Sequence, residues 1–157
     1  MTAGANEFEV TRDATIPAPR GAVFELLVDF HRWSEWSPWE GLDPNLQRTY
    51  SGAPSGVGAV YEWVGNRKAG QGRMEITAAE APSRLEIALQ FIKPFKSSNT
   101  TTFVLDERDG ATQVSWRMVG PKTLMTRVMG VFMSMDKMVG RDFERGLAQL
   151  SEAATKP

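Results

Sequence analysis

The chain has 157 residues, 41% apolar and 24% charged, with 18 Lys and Arg against 19 Asp and Glu for a formal net charge of -1. That is one domain with a sizeable core, and the proportions exclude a disordered chain, a collagen-like chain and a coiled-coil rod. No cysteine and a single histidine exclude a disulfide framework, thiolate zinc sites, cysteine nucleophiles and a multi-histidine metal centre.

A near-neutral charge without any basic run of five leaves no global field for nucleic acid. No apolar stretch reaches the ~18 to 20 residues that span a bilayer, so no stable membrane insertion is expected. Met1 to Val10 lacks both a basic n-region and an apolar h-region, which makes a cytoplasmic location the expectation. Residues 1–157 read as a single domain, with a core from about 8 to 150 between small, polar ends.

Phe8 to Ile16 reads as a strand, ended by Pro17 and Pro19. Pro19 suits the first turn of a short helix over Ala22 to Phe30, with Phe24, Leu27 and Val28 on one face. His31 to Leu42 is rich in tryptophan and reads as a second short helix or turns around Pro38. From Leu46 to Val119 the hydrophobic period is two. Six strands fit, at about 45–51, 57–65, 71–80, 84–92, 98–107 and 112–119, and Asp109-Gly110 marks the clearest hairpin. From Pro121 to Ala154 the period returns to 3.6, which predicts one helix of about thirty residues. The expected fold is α+β: a curved seven-stranded antiparallel sheet wrapped around a long C-terminal helix, with two short helices after the first strand.

Alternation turns Tyr61 and Trp63, Met74 and Ile76, Leu85, Ile87, Leu89 and Phe91, Phe103 and Leu105, and Val114, Trp116 and Met118 inward. Asn99 and Thr101 share the parity of Phe103. On the long helix, Leu124, Val128, Val131, Phe132, Met135, Val139, Phe143, Leu147 and Leu150 form one stripe. The same helix holds five of the eight methionines, Met129 and Met133 among them, as core filler or as the wall of an adaptable pocket. Asp136 falls inside the stripe. A carboxylate there is either ion-paired or a polar anchor at a pocket wall.

His31 with Glu35 and Asp29 has i,i+4 spacing, but Pro38 and the tryptophans break helical continuity, so no metal site is expected and none is proposed from sequence. Trp33, Trp36 and Trp39 recur every three residues and read as a lid over the open end of the sheet. Gly56-Val57-Gly58 leads into a strand and reads as a hairpin turn; no P-loop, Rossmann fingerprint or nucleophile elbow is present.

Three segments carry a resemblance: Ile16-Pro17-Ala18-Pro19 entering the first helix, Trp36-Ser37-Pro38-Trp39, and the closing helix from Met129 to Glu144. With the meander between them, the chain resembles the START/Bet v1-like (SRPBCC) helix-grip superfamily, in its polyketide cyclase/dehydrase-like subgroup, from about Phe8 to Leu150. The resemblance implies an apolar cavity between sheet and helix that takes lipids, sterols, hormones or polyketides, with cyclisation or dehydration in some members. It carries over no catalytic set, because the single histidine lies in the lid segment.

The expected function is binding or transport of a hydrophobic small molecule, such as a lipid or polyketide, without a cofactor. The alternatives are a cyclase/dehydratase using Asp136 as acid or base, and a protein-interaction or co-chaperone-like module. The expected ligand-binding residues are Tyr61, Trp63, Met74, Phe91, Asn99, Phe103, Trp116, Met118, Met129, Phe132, Met133 and Asp136. Trp36 and Trp39 are expected at the pocket mouth. A monomer or homodimer fits this reading.

Overall fold

The computed structural model describes residues 7–93, 96–121 and 131–156. Strand β1 (Glu7–Ile16) leads into helix α1 (Arg20–Val28) and a 3₁₀ segment (Phe30–Glu35). Six strands follow: β2 (Gln47–Gly52), β3 (Ala59–Val64), β4 (Gln71–Glu80), β5 (Arg84–Lys93), β6 (Ser97–Arg108) and β7 (Ala111–Pro121). Helix α2 (Val131–Thr155) closes the fold. Its 25 residues extend about 37 Å at 1.5 Å per residue.

The seven strands form one antiparallel sheet in the order β1-β7-β6-β5-β4-β3-β2. Every neighbouring pair is consecutive in the chain except β1 and β7, so α1 and the 3₁₀ segment carry the chain from one edge of the sheet to the other. At the β6–β7 hairpin Arg108 pairs with Ala111, while Asp109 and Gly110 take φ of 55° and 78°. Two left-handed residues in a two-residue loop match the right-handed twist of the flanking strands.

Two boundaries differ from the sequence reading. Helix α1 stops at Val28, not Phe30, because the Asp29 carboxylate accepts the backbone N–H of His31 at 3.0 Å and starts the tighter 3₁₀ turn. Pro121 is the last residue of β7, paired with Glu7, rather than the first of the long helix. Residues 122–130, where the sequence reading begins that helix, lie outside the described residues.

The concave face holds the core. Phe103, Leu105, Val114, Trp116 and Met118 are buried on alternate positions, while Val104 stands exposed on the convex side. Trp33 and Trp36 bind the lid segment to α1. Their indole N–H groups donate to the carbonyls of Leu27 and Leu26, each at 2.9 Å. Those carbonyls lie in the last turn of α1 and lack intrahelical partners, so the two indoles satisfy them. Trp116 stacks on Phe143 of α2 at 4.0 Å and meets Phe103 at 5.0 Å and Trp36 at 5.6 Å. Gly146 permits this approach: a Cβ there would stand 2.8 Å from the Trp116 ring and 2.9 Å from Pro38.

Candidate functional site

A cavity of about 230 Å³ remains where sheet, lid segment and α2 fail to meet. β3 contributes Tyr61 and Trp63, β4 Met74, β5 Leu89 and Phe91, and β7 Met118. The lid side contributes Trp33, Ser37, Trp39, Glu40, Leu42 and Leu46, and α2 contributes Val139. Lys68 and Ala69, in the β3–β4 hairpin, complete the lining.

The aromatic wall follows from strand parity. Tyr61 and Trp63 lie two apart on β3, with ring centroids 6.0 Å apart, and Phe91 meets Trp63 edge-on at 6.0 Å. Trp63 pairs with Gly72 across β3 and β4, and a Cβ at residue 72 would run into the indole. Glycine there lets the ring lie across β4. The indole N–H donates to Ala69 O at 2.9 Å, which fixes the ring to the hairpin.

The rim is built by hydrogen bonds between two loops. Asp43 accepts the backbone N–H of Asn45 and of Asn66, each at 2.8 Å, and the Asn66 amide donates to Leu42 O at 3.2 Å. On the other side, Trp39 donates its indole N–H to Asp142 of α2 at 3.2 Å. Arg145 pairs with Asp142 at 3.1 Å and donates to Pro38 O at 2.9 Å, tying the lid segment to the long helix.

One polar pole interrupts the apolar walls. Glu40 is paired with Arg48, and both act on the Tyr61 hydroxyl. Burial, reinforced by the Glu40 charge, pushes the Tyr61 phenol from 10.0 up to about 12, with Arg48 opposing. The hydroxyl is therefore neutral at neutral pH and is a hydrogen-bond donor rather than a base. Ser37 lies in the same lining, its hydroxyl oxygen accepting Trp39 N–H at 3.3 Å.

Tyr61 gives a pH prediction. The folded state holds this proton between pH 10 and about 12, where the unfolded chain has lost it. The stabilisation is complete below pH 10 and is lost as pH rises through that window. A tyrosinate absorbance titration is expected to show a step near pH 12 that disappears in Tyr61→Phe. A Tyr61 step at pH 10 in the folded protein would contradict the burial.

Of the residues expected at the pocket, the structure brings together Tyr61, Trp63, Met74, Phe91, Met118 and Trp39. Phe103 and Trp116 belong to the packed core instead, at 0% and 1% exposure. Trp36, expected at the mouth, is also core: at 1% exposure it packs against Trp33, Phe103 and Trp116. Its bond to Leu26 O draws it inward, so spacing of three did not put all three indoles on the cavity side. Asn99 and Thr101 face inward and are buried, but neither lines the cavity. Asn99 packs against Gly120, and its Nδ2 has no hydrogen-bond partner among the described residues. Met129 lies outside the described residues, as do the side chains of Phe132, Met133 and Asp136. Sequence reasoning missed Glu40, Leu42, Lys68 and Ala69, which sit in loops without periodicity, and Leu46, which it placed in a strand but which precedes β2. The turn-forming Asp43 and Asn66 were the available signal.

Among the described residues no group of three or more His, Asp or Glu is placed to hold a metal ion, and no helix is long and apolar enough to cross a membrane.

The fold has solved relatives. Protein CV1439 from Chromobacterium violaceum aligns with a TM-score of 0.69 at 12% identity, over 96% of this chain and 99% of that one. TTHA0849 from Thermus thermophilus aligns at 0.67 and 19% identity, over 93% and 96%. DynU16, a protein in the dynemicin biosynthetic locus, aligns at 0.62 and 19% identity, over 92% of this chain but 46% of its own. At these identities the likeness is one of fold. No curated protein matches the chain. The sequence profile described as polyketide cyclase / dehydrase and lipid transport matches residues 7–155. That span takes in every strand, both α-helices and the lid segment. The chain therefore belongs to the polyketide cyclase / dehydrase and lipid transport family.

Proposed function

We propose that this protein binds a compact, ring-containing hydrophobic molecule in the cavity between sheet and long helix. The carrying observation is the lining: five aromatic rings, Trp33, Trp39, Tyr61, Trp63 and Phe91, around about 230 Å³. An engineered apolar cavity of about 150 Å³ takes benzene, and drug-sized pockets run from about 300 to 1,000 Å³. The volume between those marks suits one or two fused rings better than a sterol or a long acyl chain. Flat faces and edges of the side-chain rings match a planar ligand.

The neutral Tyr61 hydroxyl would donate to a carbonyl or hydroxyl on that ligand. Glu40 and Arg48 neutralise each other beside it, which favours an uncharged polar group at this end. Met74, Leu89 and Met118 supply adaptable apolar contact. The family's cyclase-type activity would need a placed acid or base. The carboxylate that lines the cavity among the described residues, Glu40, is paired with Arg48, which favours binding over turnover.

The test is native mass spectrometry of protein purified from its host, with solvent extraction, beside titration with a neutral naphthalene-based fluorophore. A stoichiometric ring compound and saturable fluorophore binding are expected. An empty spectrum together with no saturable binding would reject the reading.

A further inference from the structure

We infer that the end of the sheet carrying the β3–β4 and β5–β6 hairpins is a docking surface for anionic bilayers. The chain as a whole is slightly acidic, yet no Asp or Glu occurs from Trp63 to Gly72 or from Ile87 to Leu105. Those two stretches carry Arg67, Lys68, Lys93 and Lys96. Antiparallel pairing brings them together: Val64 pairs with Gln71, and Gln71 pairs with Lys93. Val64, Arg67, Gln71 and Lys93 line one shallow surface depression.

Each of these four cations is exposed, and none has an ion-pair partner among the described residues. Elsewhere many cations are neutralised, as Arg12 by Glu144, Arg32 by Glu35, Arg48 by Glu40 and Arg117 by Glu9. Asp43, in the loop packed on the β3–β4 hairpin, accepts two backbone N–H groups.

Two of the few exposed large apolar side chains, Val64 at 46% and Ile92 at 40%, stand in the same region. Cations alone would fit any polyanion. Cations flanking exposed aliphatic side chains fit a lipid headgroup layer, where charge attracts and the apolar groups enter the boundary. The cavity rim includes Lys68 and Ala69 of the same hairpin, so a docked molecule would hold the cavity next to the bilayer. The surface does not depend on which ligand occupies the cavity.

The experiment is co-sedimentation with phosphatidylglycerol vesicles and with phosphatidylcholine vesicles, at low and physiological salt. Binding is expected for the anionic vesicles alone and should weaken with salt. The triple variant Arg67→Glu/Lys93→Glu/Lys96→Glu is expected to lose it by a hundredfold or more. Val64→Ser/Ile92→Ser is expected to lose several-fold. Arg108→Glu, at the opposite end of the sheet, is expected to bind as wild type. Fluorophore binding in the cavity, measured on each variant, confirms folding and keeps this test separate from that of the ligand. Absence of anionic-vesicle binding, or equal loss in Arg108→Glu, overturns the inference. So does capture by a single-stranded oligonucleotide without capture by vesicles, which would make the patch a nucleic-acid surface.

Discussion

Replacing Trp116 with alanine is expected to lower the unfolding free energy by about 3–5 kcal/mol. Trp116 is 1% exposed and touches aromatic rings from the lid segment, from β6 and from α2. Truncation would open a void between sheet and helix, and the stacked Phe143 would lose its partner. A domain of this size has about 5–15 kcal/mol in total, so the loss is a large share. Trp116→Phe isolates packing from hydrogen bonding. The indole N–H has no partner among the described residues, so removing it takes away a buried group that costs about 1–3 kcal/mol when unsatisfied. That gain offsets part of the lost ring volume, and the phenylalanine variant is expected to stay within about 2 kcal/mol of wild type. Urea unfolding of both variants checks this. A loss below about 1 kcal/mol in the alanine variant would mean that Trp116 is not packed as described.

Met74→Trp/Leu89→Trp is expected to weaken ligand binding at least a hundredfold, about 2.8 kcal/mol, with little change in stability. Met74 and Leu89 are direct register partners across β4 and β5, and both line the cavity. Two indoles placed there would occupy space that a ligand would otherwise take. The same enlargement in a packed core costs about 1–3 kcal/mol through strain. Here the surroundings have room, so thermal midpoint and affinity should part company. Fluorophore titration beside thermal unfolding reads both quantities. Unchanged binding in a stable variant would place the ligand elsewhere.

The sheet was largely legible in the sequence because one face is buried and the other wet. That asymmetry imposes a period of two, and a one-residue slip would invert every strand. Hence the six meander strands and the Asp109-Gly110 turn match the structure to within a few residues. The site was legible in part. Parity tells which face Phe103, Trp116 and Tyr61 occupy, but not how far along the strand each stands. Phe103 and Trp116 fall under the lid tryptophans and pack solid. Tyr61, Trp63 and Phe91 fall beyond them and face open space. The inward turn of Trp36 depends on a carbonyl of Leu26, ten residues away, which no local period reports. The lining residues Glu40 and Lys68 lie in loops and are brought to one cavity only by the tertiary fold.

The bonds joining the rim loops bear on exchange with solvent. Asp43 holds an amide of its own loop and an amide of the β3–β4 hairpin, while Asn66 reaches back to Leu42. Neither loop can swing aside without releasing the other. Opening at this rim would therefore break those bonds together, and a ligand leaving by that route would dwell for a time set by how often they release as well as by its attraction to the walls.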